Sequence, residues 1–154
     1  MSLPNGTAFF LPPSAAQGLA NYPHSRTAPN NATTLLLYVS GTSSRRGDGT
    51  YAGYSIGADG IPVLDVAEQT SAVLANIRTV IEGATKGAYG LESIIDVTIF
   101  LTDMKDYGKM NEVWNSVFPD RQAAPARTCV QVAALPSEKL CIEIKCTAVV
   151  PVVD

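Results

Sequence analysis

Residues 125–150 read PARTCVQVAALPSEKLCIEIKCTAVV, and how this stretch folds decides the class of the protein. It holds two apolar, β-branched runs, RTCVQVAAL and KLCIEIKCTAVV, with Pro136 and Ser137 in the connection between them. Such a pattern predicts two strands joined as a hairpin. Side chains alternate along a strand, so Arg127 and Cys129 point to one face. In the second run Cys141, Glu143, Lys145 and Thr147 share one face, while Leu140, Ile142, Ile144 and Cys146 share the other. An arginine and a thiol therefore open one strand, and a carboxylate stands between two isoleucines in the next.

Upstream, SIIDVTIFL (93–101) predicts another strand, and a helix is predicted from Asp106 to Phe118. Tyr107, Met110, Val113, Trp114 and Val117 form its apolar stripe, and Pro119 ends it. Asp65 begins the clearest helix. Asp65 and Glu68 have capping-box spacing, and Val66, Val73, Leu74, Ile77, Val80, Ile81 and Ala84 make one stripe before Gly87 and Gly90. TTLLLYVSG (33–41) reads as a buried strand stopped at Gly41. TSSRRGDGT (42–50) is a polar loop with a turn at Asp48-Gly49, Tyr51 to Ile56 is a short strand, and GADGIP turns again. Residues 1–32, with prolines at 4, 12, 13, 23 and 29, read as irregular, with Phe9-Phe10 as candidates for a short edge strand.

The predicted order is β-β-β-α-β-α-β-β in a single domain over 1–154. That is an α+β arrangement: one mixed sheet covered on one face by two helices. No third layer is left to cover the sheet's other face, so self-association is expected, with a half-solvated sheet as the alternative.

Composition narrows the function classes. A hydrophobic fraction of 46% excludes a disordered chain, and a net charge of -3 argues against a general nucleic-acid binder. The three cysteines, an odd number with no Cys-x-x-Cys pair, point to a reducing compartment, and with a single histidine they leave few ligands for zinc. The start, MSLPNGTAFFLPP, has no basic region, and no apolar run is long enough to span a bilayer. The expectation is a cytoplasmic protein with no membrane contact.

Candidate chemistry lies in two groups. Arg127 is either a surface charge or a planar fork for a carboxylate, and Cys129 beside it is core filler more readily than a nucleophile. Glu143 is either a solvated sheet residue or part of a pocket between subunits, where burial would raise its pKa toward proton transfer. Arg45 and Arg46 follow Ser40-Gly41 in a polar loop, either as solvated charges or as a second anion clamp. Tyr22 and His24 offer a ring and a proton carrier. Asn111, on the second helix, is a surface residue or a hydrogen-bond donor at an interface.

PARTCVQVAALP followed by IEIKCTAVV resembles the C-terminal signature of the RidA family of enamine and imine deaminases. The resemblance extends over nearly the whole chain, through YVSGTSS, QTSAVLANIRTVIEGA and DVTIFLTDMKDYGKMNEVWNSVF. Within the family, NYPHSR and VSGTSSRRGDGTYAG are more similar to the 2-aminomuconate deaminases of aromatic catabolism, whereas VQVAALP departs from the histidine-bearing VHQLP-like segment common among them. The resemblance implies a chorismate-mutase-like fold, a homotrimer with a barrel core and clefts between subunits, and no metal or organic cofactor. It implies that Arg127 clamps a substrate carboxylate and that Glu143 positions or activates water. Tyr22 and Cys129 would line the pocket, with Ser40, Gly41 and Asn111 at cleft positions.

The expected reaction is hydrolytic release of ammonia from a 2-amino-enoate in its imine form, with 2-aminomuconate giving 4-oxalocrotonate. Arg45 or Arg46 would bind the distal carboxylate. The alternatives are a general 2-imino acid deaminase, a non-catalytic trimer that binds small carboxylates or a protein, and, weakest, an RNA-cleaving activity.

Overall fold

A computed structural model describes residues 7–19 and 21–152. Its strands are β1 (Thr7–Phe9), β2 (Ser25–Pro29), β3 (Thr34–Thr42), β4 (Tyr54–Ile56), β5 (Pro62–Leu64), β6 (Ile94–Leu101), β7 (Ala126–Gln131) and β8 (Ile142–Pro151). The helices are α1 (Val66–Ala84), between β5 and β6, and α2 (Tyr107–Val117), between β6 and β7. Six strands form one sheet in the order β1-β2-β3-β8-β6-β7, and β4 and β5 form a separate ribbon. Only β7 runs parallel to its neighbour, so the sheet is mixed. The α+β expectation holds.

The hairpin expected from residues 125–150 does not form. β8 pairs with β3 on one side and β6 on the other, and β7 pairs with β6 alone. β6, α2 and β7 make a parallel crossover unit that carries β7 to the sheet edge. The physical reason is burial. β8 hides Ile142, Ile144, Cys146, Ala148 and Val150 along one face, which suits a central strand, whereas β7 has no fully buried residue. The N-terminal region is also more regular than its prolines suggest. Phe9 does lie in an edge strand, but β2 lies within the segment expected to be irregular. β5 is a strand that the sequence reading does not include, and only its first residue, Pro62, falls within the expected turn.

α1 begins as its sequence predicts: the Asp65 side chain accepts a hydrogen bond from the Glu68 amide at 3.0 Å. Val73, Leu74, Ile77, Val80 and Ile81 bury its apolar stripe. The chain leaves the helix through Lys86 and Gly87, both at positive φ, with the Gly87 amide bonded back to the Glu82 carbonyl. α2 buries Met110 and Trp114 and packs beside α1. Both helices enter one core with Leu37, Val39, Val97, Ile99, Ile142 and Ile144. The opposite face presents Leu36, Tyr38, Phe100, Glu143, Lys145 and Val149, none of them fully buried, so among the described residues no layer closes over it. Among the described residues no helix is long and apolar enough to cross a membrane.

Candidate functional site

β3 and β8 lose register at one place. Val39 pairs with Cys146, but Thr42 pairs with Ile144, so three steps on β3 face two on β8. The extra residue makes a bulge at Ser40-Gly41. Glu143 lies against it: a Cβ built on Gly41 would stand 3.1 Å from Glu143 Oε1. The Ser40 hydroxyl donates to the Pro23 carbonyl at 2.7 Å, and its amide donates to the His24 carbonyl, which joins the bulge to the chain entering β2.

A cavity of about 430 Å³ opens over this bulge. Glu143, Ser40, Gly41, Arg45, Arg46, Tyr22 and His24 all line it. Burial raises the Glu143 carboxyl above the ordinary glutamate range. No opposite charge is among the causes of that shift; burial alone drives it. The arginine loop is fixed by Asn76 of α1, whose Nδ2 donates to the Ser43 carbonyl at 2.8 Å and the Arg45 carbonyl at 3.3 Å. Arg45 Nη1 donates to the Gln17 carbonyl at 2.9 Å, and Arg46 Nη1 donates to Thr50 Oγ1 at 3.2 Å.

His24 is held through both ring nitrogens. Its Nδ1 accepts from the Leu11 amide at 3.2 Å, which leaves Nε2 to donate to the Ala16 carbonyl at 2.8 Å. Both ring nitrogens therefore hold backbone, and the tautomer is fixed by what they hold. The Tyr22 hydroxyl accepts from the Leu19 amide at 3.2 Å.

Arg127, Cys129 and Asn111 lie elsewhere. Arg127 pairs in register with Val97 and hence with Cys146, on the helix-covered face, whereas Glu143 pairs with Phe100 on the open face. The Arg127 guanidinium lies over Trp114, 4.9 Å from the ring centroid, and Nη2 donates to the Tyr107 hydroxyl at 3.3 Å. These contacts hold its planar fork at the sheet edge. Cys129 packs against the core, and burial pushes its thiol up despite the opposing charge of Arg127, which disfavours a thiolate nucleophile. Asn111 is half-buried and its Oδ1 has no partner. The candidate residues thus fall into two separate groups on the chain. Among the described residues no group of three or more His, Cys, Asp and Glu is placed to hold a metal ion.

Residues 17–150 match the family model described as Endoribonuclease L-PSP. The chain belongs to this family. It is the one to which the RidA resemblance points. A RutC family protein of Pyrococcus horikoshii is 43% identical over 84 residues, 54% of this chain and 62% of that relative. TdcF of Escherichia coli, provisionally named a reactive intermediate deaminase, is 37% identical over 86 residues, 55% of this chain and 64% of the relative. The match therefore spans under two thirds of either relative's length. Solved structures extend the likeness. Yeast Mmf1 superimposes with a TM-score of 0.72 at 26% identity, covering 92% of this chain and 97% of Mmf1. Escherichia coli TdcF with bound serine gives 0.67 at 26% identity, covering 93% and 98%.

Two residues of this L-PSP family chain escape a reading by motif. Asn76 interrupts the apolar stripe of α1, and that interruption is the signal for its loop-holding role. Gln69 is fully buried and bonds the Gly53 and Lys139 carbonyls and the Cys141 amide. It thereby ties down the segment that leads into Glu143, and a glutamine between Val66 and Val73 of the apolar stripe carries no comparable signal.

Proposed function

We propose that the protein is a cofactor-independent deaminase that hydrolyses 2-imino and 2-enamino carboxylates, with 2-aminomuconate as its preferred substrate and 4-oxalocrotonate and ammonia as products. The observation that carries this reading is the raised carboxyl of Glu143, pressed against Gly41 at the floor of a cavity that also contains Arg45 and Arg46. Family membership supports the class of reaction, since TdcF is named for deamination of reactive intermediates.

The site completes itself between subunits of a homotrimer. The uncovered sheet face gives the chain a surface to bury, and the separation of Glu143 from Arg127 supports a cleft in which the partner subunit's Arg127 joins this subunit's Glu143. Arg127 grips the C1 carboxylate through its fork. Glu143 takes a proton from water as the water oxygen bonds to C2 of the imine. That proton passes to nitrogen to give a carbinolamine; Glu143 then carries the hydroxyl proton to nitrogen as well, so that the C–N bond breaks, ammonia departs and the C2 oxygen becomes the carbonyl of the 2-oxo acid. Ser40, Gly41, Tyr22, Asn111 and Cys129 shape the cleft around this exchange. Arg45 and Arg46 meet the distal carboxylate. Imines hydrolyse unaided in water, so positioning and one proton carrier suffice. The three free cysteines fit a cytoplasmic setting.

The test is ammonia release from 2-aminomuconate generated in situ, with 2-iminopropanoate as comparison. Preference for 2-aminomuconate is expected. Equal or better turnover of 2-iminopropanoate would favour a second reading, general deamination of short imino acids, to which the serine bound in TdcF lends support. Binding of either without turnover would reduce the protein to a carboxylate-binding module.

A further inference from the structure

Residues 12–19 form neither helix nor strand, yet they make one wall of the cavity through Ala15, Ala16, Gln17, Gly18 and Leu19. This strap has few internal bonds: the Ala15 amide and the Gln17 side chain donate to the Pro12 carbonyl, and the Gln17 side chain also to the Ala15 carbonyl. Cavity residues hold it instead. His24 takes the Leu11 amide on Nδ1 and the Ala16 carbonyl on Nε2, Tyr22 accepts from the Leu19 amide, and Arg45 donates to the Gln17 carbonyl. The Gly47 backbone lies so close to the Ser14 carbonyl that a side chain at residue 47 would collide with it.

The bond between Arg45 and Gln17 makes the strap more than a cover. It sets where the Arg45 guanidinium points, so the strap's position and the orientation of that charge are coupled. The cavity, at about 430 Å³, lies in the range of pockets that enclose ligands far larger than a three-carbon acid. A short ligand seated at Glu143 has no second anionic group for Arg45, whereas a long dicarboxylate has one.

We propose that His24 is a specificity-determining positioning residue: by clasping the strap over the cavity it orients Arg45 and so selects long dicarboxylates over three-carbon carboxylates. This rests on the reading of the cavity as a carboxylate site. His24 acts through backbone, so its effect appears in the ratio of affinities for long and short ligands. Preorganisation of this kind favours only the ligand that meets the oriented group.

The experiment measures calorimetric affinities of full-length protein for two unreactive probes, cis,cis-muconate and pyruvate. Wild type, His24→Phe and His24→Gln are compared. Phenylalanine keeps a ring beside Phe10 but offers neither bond, while glutamine retains one donor and one acceptor. Loss of the clasp is worth roughly one to two net hydrogen bonds, so the muconate-to-pyruvate preference should fall about tenfold in His24→Phe. It should recover largely in His24→Gln, and amide exchange at Leu11 should quicken only in His24→Phe. Gly18→Ala gives an independent route should His24→Phe not fold. Its methyl would meet the Tyr22 ring at 2.9 Å and disturb the bond by which Tyr22 holds the Leu19 amide, which should shift the preference the same way. An unchanged preference in the folded variants, equal losses for both probes, or a wild type that prefers pyruvate would each overturn the proposal. Ammonia release is assayed separately, so a failure of the catalytic reading leaves the affinity ratio readable.

Discussion

Gly41 and Glu143 touch across the β3–β8 pair, and the absence of a side chain on residue 41 gives the carboxylate its place. A Cβ there would stand 3.1 Å from Oε1 and 3.2 Å from the carboxyl carbon. The requirement is one of close approach, since Gly41 is not among the positive-φ glycines. Gly41→Ala should therefore move or cover the carboxylate by a few tenths of an ångström without straining the backbone. Catalytic groups displaced on this scale lose rate steeply, and kcat should drop by about tenfold to a hundredfold. The thermal midpoint should stay close to wild type, because alanine also restricts the unfolded chain. Full activity in this variant would remove Glu143 from the chemistry.

The raised carboxyl of Glu143 makes opposite predictions for activity and stability. In the proposed reaction it takes a proton from water and works ionised, so kcat should fall as pH drops through its elevated pKa. For stability, the folded chain holds this proton more tightly than the unfolded chain does. The protonated form therefore contributes stability that is complete below the unfolded pKa and is lost as pH rises through the folded one. Glu143→Gln, which mimics the protonated form, should be inactive yet melt higher than wild type at neutral pH, with the gap closing in acid. Melting curves across pH decide this, and a variant less stable than wild type at neutral pH would contradict the burial argument.

The sequence exposes these residues unevenly. Strand periodicity places Arg127 with Cys129, and Glu143 apart from Ile142 and Ile144. The cap at Asp65 is equally plain. Periodicity alone cannot say which faces of two strands coincide, because that depends on pairing. Proximity in sequence suggests that β7 and β8 form a hairpin, but β8 has more apolar surface to bury and takes the centre of the sheet. The opposite placement of Arg127 and Glu143 appears only once β6 is known to separate their strands. The role of His24 is hidden for another reason: its partners are backbone groups of a segment without periodicity.

Gln69 offers a test of how the cavity floor is held. Its side chain satisfies two carbonyls and one amide from segments far apart in sequence, and it is fully buried. Gln69→Leu keeps the volume but strands all three backbone groups. Each unsatisfied group costs about 1–3 kcal/mol, so chemical denaturation should report a loss of about 3 kcal/mol or more. A loss below about 1 kcal/mol would mean that water or local rearrangement replaces the side chain.

Arg127 and Glu143 give the sharpest test of a site shared between subunits. Arg127→Ala removes the fork over Trp114, and Glu143→Gln removes the proton carrier, so each variant alone should lose nearly all turnover. Neither change touches the apolar residues of the open sheet face, and both variants should assemble. When the two are unfolded together and refolded as a mixture, some clefts will combine an intact Arg127 from one subunit with an intact Glu143 from its neighbour. Activity should return in the mixture and in neither variant refolded alone. If both residues served the same chain's cavity, no combination of the two variants would rebuild a complete site. A mixture as inactive as its components, with mixed assemblies demonstrated by mass spectrometry, would refute the shared cleft. Recovery of ammonia release would place the chemistry at the seam between subunits, where the half-sets at the β3 bulge and the β7 edge meet.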